Sequence, residues 1–156
     1  MGVSGSGKTV TGKLLSSQLN WQFVDADDLH PTANIEKMSR GIPLDDNDRR
    51  PWLASLRALI LKTVAEQNNL VLACSALKRT YRELLCVSPE VKLVYLKGNY
   101  DLLLQRLHNR QGHYMHENML ASQFAALEEP TDALVIDVTP SPEIIVSEIR
   151  TKLSLA

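Results

Sequence analysis

The chain has 156 residues, 44% of them hydrophobic and 22% charged, the size and mix of one soluble domain with a single core. A formal net charge of -1 lacks the basic excess of a nucleic-acid binder, and apolar runs such as residues 70–74 are far too short to cross a bilayer. The N-terminus opens with glycines rather than a basic and apolar leader, and Cys74 and Cys86 fit neither a zinc motif nor a secreted disulfide framework, so a reducing, cytoplasmic setting is the default.

In chain order, the pattern predicts a helix over residues 8–19 that starts directly at a glycine-rich turn, a strand at 22–25 and a helix at 33–39. A longer helix at 48–67 places Leu53, Leu56, Ile60 and Val64 on one face and tolerates Pro51 in its first turn. Strand 70–75, helix 78–85, strand 92–96, helices 100–109 and 117–127, strand 134–138 and helix 142–153 follow, with Ile145, Ile149 and Leu153 forming the last apolar stripe. Short β-branched runs alternating with helical stretches are the signature of an α/β domain whose parallel sheet is covered by helices on both faces. The charged stretches 40–50 and 110–116 are the candidate functional loops.

The strongest motif is Gly2-Val3-Ser4-Gly5-Ser6-Gly7-Lys8-Thr9, which satisfies G-x-x-x-x-G-K-[ST] and runs straight into a helical pattern. It makes Gly2, Ser4, Gly5, Ser6, Gly7, Lys8 and Thr9 the candidate nucleotide-binding residues. The glycines let backbone N–H groups turn inward around phosphate oxygens and the helix N-terminus adds partial positive charge. Lys8 reaches the β and γ phosphates, and the Thr9 hydroxyl can ligate Mg2+. ATP and Mg2+ are the cofactors this implies.

Asp25 and Asp27 fall where the strand at 22–25 ends. Two apart in an extended segment, their side chains share one face and can address a metal and a substrate hydroxyl together; the plainer reading is an acidic loop with helix-capping aspartates. For a phosphoryl acceptor the chain offers His30, Asn34, Lys37, Arg49, Lys78, Arg79, Arg82 and Gln123 around polar loops, an anion-binding set if they converge and ordinary solvated side chains if they do not. Arg106 and Arg110, four apart, share a helix face just before Gly112, His113 and His116. That arrangement suggests a lid around 110–117 that carries arginines to the transferring phosphoryl group and excludes water, with an exposed basic face as the alternative. The two histidines lack partners at zinc-ligand spacing, and Trp21 and Trp52 read as packing residues.

Together the blocks 2–9, 25–38, 41–52, 74–82, 112–115 and 122–129 resemble the gluconokinase family of small P-loop carbohydrate kinases over most of the chain. The most specific are Asp25-Ala26-Asp27-Asp28-Leu29-His30-Pro31, Asn34-Ile35-Glu36-Lys37-Met38, Gly41-Ile42-Pro43-Leu44 with Asp48-Arg49, and Cys74-Ser75-Ala76-Leu77-Lys78. The resemblance implies ATP-dependent phosphorylation of D-gluconate at its terminal hydroxyl, giving 6-phosphogluconate. It also implies a single three-layer P-loop kinase domain over residues 1–156, similar to shikimate and adenylate kinases, with a five-stranded parallel sheet, flanking helices and a short lid. By the same resemblance Asp27 is the substrate-binding aspartate and candidate base, Asp25 joins Thr9 in the metal shell, Arg49 binds the acceptor, and Arg106 and Arg110 match the lid arginines.

On this reading the catalytic set is Lys8, Asp27, Arg106 and Arg110, and the substrate set is Asp27, His30, Lys37, Arg49, Lys78, Arg79 and Gln123. Gluconate is the small-molecule partner, no nucleic acid or membrane is expected, and a homodimer stays open. The chain departs from the family at Cys86, where arginine is usual, and at His116, where proline is usual. A P-loop follows a β-strand that lies centrally in this fold, and here the motif opens at Gly2, so that first strand is expected to be missing ahead of it. A kinase for shikimate or another polyhydroxy acid is the competing enzyme reading, and a non-catalytic nucleotide-binding chain the reading from a different class.

Overall fold

The computed structural model describes residues 1–110 and 117–156. Its elements are α1 (Lys8–Leu19), β1 (Gln22–Asp25), a 3-10 turn (Ala26–Leu29), α2 (Thr32–Ser39), α3 (Asp46–Ala65), β2 (Leu70–Ala73), α4 (Arg79–Leu85), β3 (Val94–Lys97), α5 (Tyr100–His108), α6 (Glu117–Ala126), β4 (Leu134–Asp137) and α7 (Pro142–Lys152). Gly112, His113 and His116 of the expected lid lie outside the described residues.

Two local expectations are corrected. Helix α3 starts two residues early because Asp45 and Asp48 form a capping box, Asp48 N–H donating to Asp45 Oδ1 at 2.8 Å and Asp45 N–H to Asp48 Oδ2 at 2.9 Å. Pro51 therefore lies inside the helix rather than in its first turn, and Asn47, whose carbonyl loses that donor, is exposed to water. Asp25 and Asp27 do not share the face of an extended segment either. The chain leaves β1 directly into the 3-10 turn, which Asp25 caps by accepting the Asp27 N–H at 3.1 Å.

Strand β1 pairs parallel with β2, from Gln22 opposite Leu70 to Asp25 opposite Ala73, and β3 pairs parallel with β4, from Val94 opposite Leu134 to Lys97 opposite Asp137. These are two pairs instead of the continuous five-stranded sheet that the resemblance implied, because among the described residues no strand stands between β2 and β3. Met1 and Gly2 bridge that interval. Met1 N donates to the Val94 carbonyl at 2.5 Å, Leu96 N–H to the Met1 carbonyl at 2.9 Å, and Gly2 N–H to the Ser75 carbonyl at 3.2 Å.

Helices cover both sides. α1 packs on α7 and on β1 and β2, α7 packs on β4, and α3 packs on α4 and the 3-10 turn. Neighbouring residues of β2 face opposite layers, as strand geometry requires. Val71 meets the core of Leu15, Leu96, Ile136, Val146 and Ile149, and Leu72 meets that of Trp52, Leu56, Ile60, Cys74 and Leu85. Parallel pairing gathers the strands' carboxyl ends at one edge, where open α/β sheets bind their ligands. Among the described residues no helix is long and apolar enough to cross a membrane.

Trp52 ties the second core to that edge. Its ring is 4% exposed, and its indole N–H donates to the Ala26 carbonyl at 2.6 Å. Trp52→Phe keeps an aromatic ring but leaves this buried carbonyl unpaired, so denaturant unfolding is expected to show a loss of about 1–3 kcal/mol with an unchanged m value.

Candidate active site

Residues 2–9 build a cradle at the head of α1. Gly7 precedes the helix with a φ of 87°, a left-handed conformation open to glycine. Gly2 packs so closely on β3 that a β-carbon there would lie 2.8 Å from the Leu96 carbonyl oxygen. The N-terminus of α1 thus opens toward a tight loop, the arrangement that binds phosphate. Lys8 Nζ donates to the Val3 carbonyl at 3.0 Å, curling the side chain back over the loop. Burial pushes the Lys8 pKa down, opposed by the negative charges of Asp27 and Asp25. Gln123 on α6 grips the loop from the other side, taking the Ser4 N–H on Oε1 at 2.7 Å and donating from Nε2 to Ser4 Oγ at 3.2 Å.

Thr9 Oγ1 donates to Asp25 Oδ2 at 2.8 Å, so the first turn of α1 is bonded to the end of β1. A hydroxyl and a carboxylate held together beside a phosphate cradle are the hard oxygen donors that Mg2+ prefers, with water and phosphate oxygens completing its shell. Among the described residues no cluster of three His, Cys, Asp or Glu side chains offers an all-protein cage, which Mg2+ at a phosphate site does not require. Asp27 reaches solvent, yet enough protein crowds its carboxylate to push its pKa up. Burial is the larger cause and the neighbouring Asp25 charge the next, against the pull of Lys8 and His30.

The acceptor candidates gather beside these aspartates. His30 stacks on Trp52 at 4.4 Å between ring centroids. Buried Asn34 donates through Nδ2 to His30 Nδ1 at 3.2 Å and to the Asp48 carbonyl at 2.8 Å, so the neutral imidazole carries its proton on Nε2. Burial lowers the His30 pKa, and the ring feels the charges of both Asp27 and Arg49. Lys37 pairs with Asp48 at 2.6 Å.

Arg49 and Lys78 both stand over the ring of buried Tyr81, at 5.8 and 5.6 Å from its centroid. Arg49 also donates to the Tyr81 hydroxyl at 3.3 Å. That hydroxyl in turn donates to Asp46, which pairs with Lys78 at 3.0 Å. The Tyr81 hydrogen bond and then Lys78 hold the Asp46 carboxyl below its ordinary pKa.

Other sequence candidates stand apart. Arg79 is turned outward to Glu83 at 2.8 Å, Arg106 donates to the Val138 carbonyl at 2.5 Å, and Gln123 belongs with the P-loop. Arg110 is near enough to Lys8 for its charge to depress the Lys8 pKa further. Arg82 is 7% exposed and donates to the Ala76 and Leu77 carbonyls, each at 3.0 Å. Asp46 and Tyr81 had not been singled out from the sequence. Their usable signal was helical spacing, since Asp46 and Arg49 stand three apart on α3, and Lys78 and Tyr81 three apart at the start of α4.

Parallel strands whose carboxyl ends meet a glycine loop of this kind define the P-loop kinase class. A family model for shikimate kinase matches residues 4–154. A probable gluconokinase of Xenopus tropicalis is 44% identical over 169 residues, covering 96% of this chain and 89% of its own. The thermoresistant gluconokinase of Escherichia coli K12 is 43% identical over 152 residues, covering 94% and 87%. The crystal structure of a gluconokinase from Sinorhizobium meliloti 1021 matches with a TM-score of 0.87 at 40% identity, over 99% of this chain and 89% of that one. The chain belongs to the gluconokinase family, within the wider group that the shikimate kinase model describes.

Because the folded-state pKa of Asp27 is raised, its ionised form costs stability. That cost is absent below the ordinary carboxylate range and complete above the folded pKa. Asp27→Asn is therefore expected to melt at a higher temperature than the parent at pH 7, with the difference shrinking as the pH falls toward about 4. Thermal unfolding across that range checks it, and a difference independent of pH would assign the effect to something other than titration.

Proposed function

We propose that this chain transfers the γ-phosphoryl group of ATP to the terminal hydroxyl of D-gluconate, giving 6-phospho-D-gluconate and ADP. The observation that supports the reading is two cations over one aromatic ring, Arg49 and Lys78 on Tyr81, with His30 feeling the charges of both Arg49 and the P-loop-side Asp27. A carboxylated polyol needs both ends of that arrangement, cations for its carboxylate and a carboxylate near its reacting hydroxyl. The gluconokinase names of the relatives supply the choice of acid.

The P-loop amides and Lys8 bind the phosphates of ATP. Thr9 and Asp25, bonded to each other, are the residues that would hold Mg2+, which would supply positive charge against the ATP phosphates. Asp27 orients the acceptor hydroxyl and takes its proton, a task suited to a carboxylate whose pKa lies above its ordinary value. His30 and Lys37 border the acceptor, and Arg49 and Lys78 exchange their present partners for the substrate carboxylate. Arg110, whose charge reaches Lys8, would offset charge on the transferring group, whereas Arg106 would first have to release the Val138 carbonyl. The chain works in the cytoplasm, where Cys74 stays a buried thiol with its pKa pushed up to about 11.

The direct test is ATP consumption by the purified chain with gluconate, with shikimate and with neither. Turnover that depends on gluconate is expected; turnover with shikimate alone overturns the acceptor, and none with either overturns the enzyme. Asp27→Asn is expected to lower kcat by about 10²–10⁴-fold with the KM for ATP little changed. Arg49→Ala is expected to raise the gluconate KM by about ten- to a hundredfold, the loss of a charge-assisted hydrogen bond, while outward-facing Arg79→Ala leaves it unchanged. Steady-state kinetics in both substrates separates these outcomes.

A further inference from the structure

Asn34, the third residue of α2, is buried, and its side chain joins three elements. Nδ2 lies 2.8 Å from the Asp48 carbonyl of α3 and 3.2 Å from Nδ1 of His30, the residue that ends the 3-10 turn. A carbonyl only accepts, so the atom facing it is the amide nitrogen, and one of its two hydrogens is spent there. The second hydrogen meets Nδ1, which must therefore offer its lone pair.

Stacking fixes the rest. The imidazole lies on Trp52 with 4.4 Å between centroids and 14° between planes, and the Trp52 indole is itself held by the Ala26 carbonyl at 2.6 Å. The stack sets the plane of the ring, and Asn34 sets its rotation within that plane. Nε2–H is then directed away from Asn34, on a ring that is partly exposed, and among the described residues no hydrogen bond engages it. This fixed and unpartnered donor lies in the field of both Asp27 and Arg49.

We propose that Asn34 is a positioning residue that turns His30 Nε2–H onto one mid-chain hydroxyl of the acceptor, so that the pair selects a polyhydroxy acid over its deoxy counterpart. This role rests on the reading of gluconate as the acceptor, with its carboxylate at Arg49 and its reacting hydroxyl at Asp27. An acid that reaches both groups spans the region in which the imidazole lies, and the oxygens it brings there are those of C2 to C5. Chemistry limits His30 to donation. With Nδ1 taken and Nε2 protonated, the neutral ring has no free lone pair, so it cannot serve as the base, and proton removal stays with Asp27. Such a donor favours oxygen over a methylene at the one position it faces and leaves the other positions unread.

The probes are D-gluconate and its mono-deoxy analogues lacking the hydroxyl at C2, C3, C4 or C5, assayed for kcat and KM with the parent, His30→Phe, Asn34→Leu and the double variant. Phenylalanine keeps an aromatic ring against Trp52, and leucine fills the space of the amide. With the parent, one analogue is expected to fall at least about tenfold in kcat/KM below its value with His30→Phe, once each is scaled to gluconate. Asn34→Leu is expected to erase the same discrimination, chiefly in KM, and the double variant to add nothing to it. Independently of turnover, long-range 15N–1H spectra of the parent at about pH 8, above the ordinary histidine range, are expected to place the His30 proton on Nε2.

The same profile across the analogues in the parent and His30→Phe overturns the contact, and a parent profile kept in Asn34→Leu overturns the positioning. A loss in Asn34→Leu that is equal for gluconate and every analogue assigns Asn34 to stability alone and overturns it as well. If that variant does not fold, the spectrum of the parent decides: a neutral ring protonated on Nδ1 overturns the proposal, and one protonated on Nε2, with the profile lost in His30→Phe, upholds it. A parent without gluconate-dependent turnover overturns the acceptor reading and this role together, whereas gluconate turnover with an unchanged profile overturns this role only.

Discussion

The phosphate cradle is held by backbone hydrogen bonds that its own first residues make across the interval between two strand pairs. Met1 and Gly2 reach β3 on one side and the end of β2 on the other, and this is why Gly2 lies too near the Leu96 carbonyl for a side chain. Once that entry is set, α1 leaves in a fixed direction and its first turn meets the end of β1 through the Thr9–Asp25 bond. Asp25 then caps the 3-10 turn that carries Asp27, and the Trp52 indole fixes the start of the same turn from below. The relation between the phosphoryl donor and the proposed acceptor hydroxyl is thus transmitted through four hydrogen-bonded steps rather than through a flexible loop.

The charges at this edge are arranged in mutual tension. Burial disfavours the ionised forms of both Lys8 and Asp27, and each charge partly relieves the other. A bound polyphosphate would add negative charge beside Lys8 and favour its ammonium form, while further raising the cost of an ionised Asp27. On the proposed mechanism, nucleotide binding would raise the proton affinity of this aspartate. The acceptor side is balanced differently. Lys37 and Lys78 are already paired with Asp48 and Asp46, so the proposed carboxylate ligand would exchange partners instead of meeting bare cations.

Much of this was legible locally. The glycine motif, the helix it opens and the strand at 22–25 agree with the structure residue for residue, because the periodic segments there are bounded by glycines on one side and by Asn20 in a left-handed cap on the other. The 3-10 turn was not legible in an alternation argument, although Asp25 two residues before Asp27 is the spacing of an Asx turn, in which the side chain captures a backbone N–H that an extended strand would use. The start of α3 was hidden for a similar reason, since Asp45 and Asp48 form a reciprocal cap ahead of the proline. Gln123 is the opposite case. It stands 119 positions from Ser4, and no pattern within its own helix announces which loop it grips.

The choice between neighbouring cations shows how such tertiary information is stored. Lys78 and Arg79 are adjacent and chemically alike, but one step along a helix start is a turn of about 100°, and only Lys78 lies on the face of Tyr81, three residues on. Arg79 is carried outward to Glu83 one turn later. The phase of α4 is fixed from beneath by Arg82, whose guanidinium holds the carbonyls of Ala76 and Leu77. Ala76 has a φ of 46°, a left-handed conformation that costs an ordinary residue roughly 1–2 kcal/mol and that needs such bonds to persist. A buried arginine spent on two carbonyls is therefore explained by what the loop delivers: a lysine over the same aromatic ring that an arginine from another helix stands over.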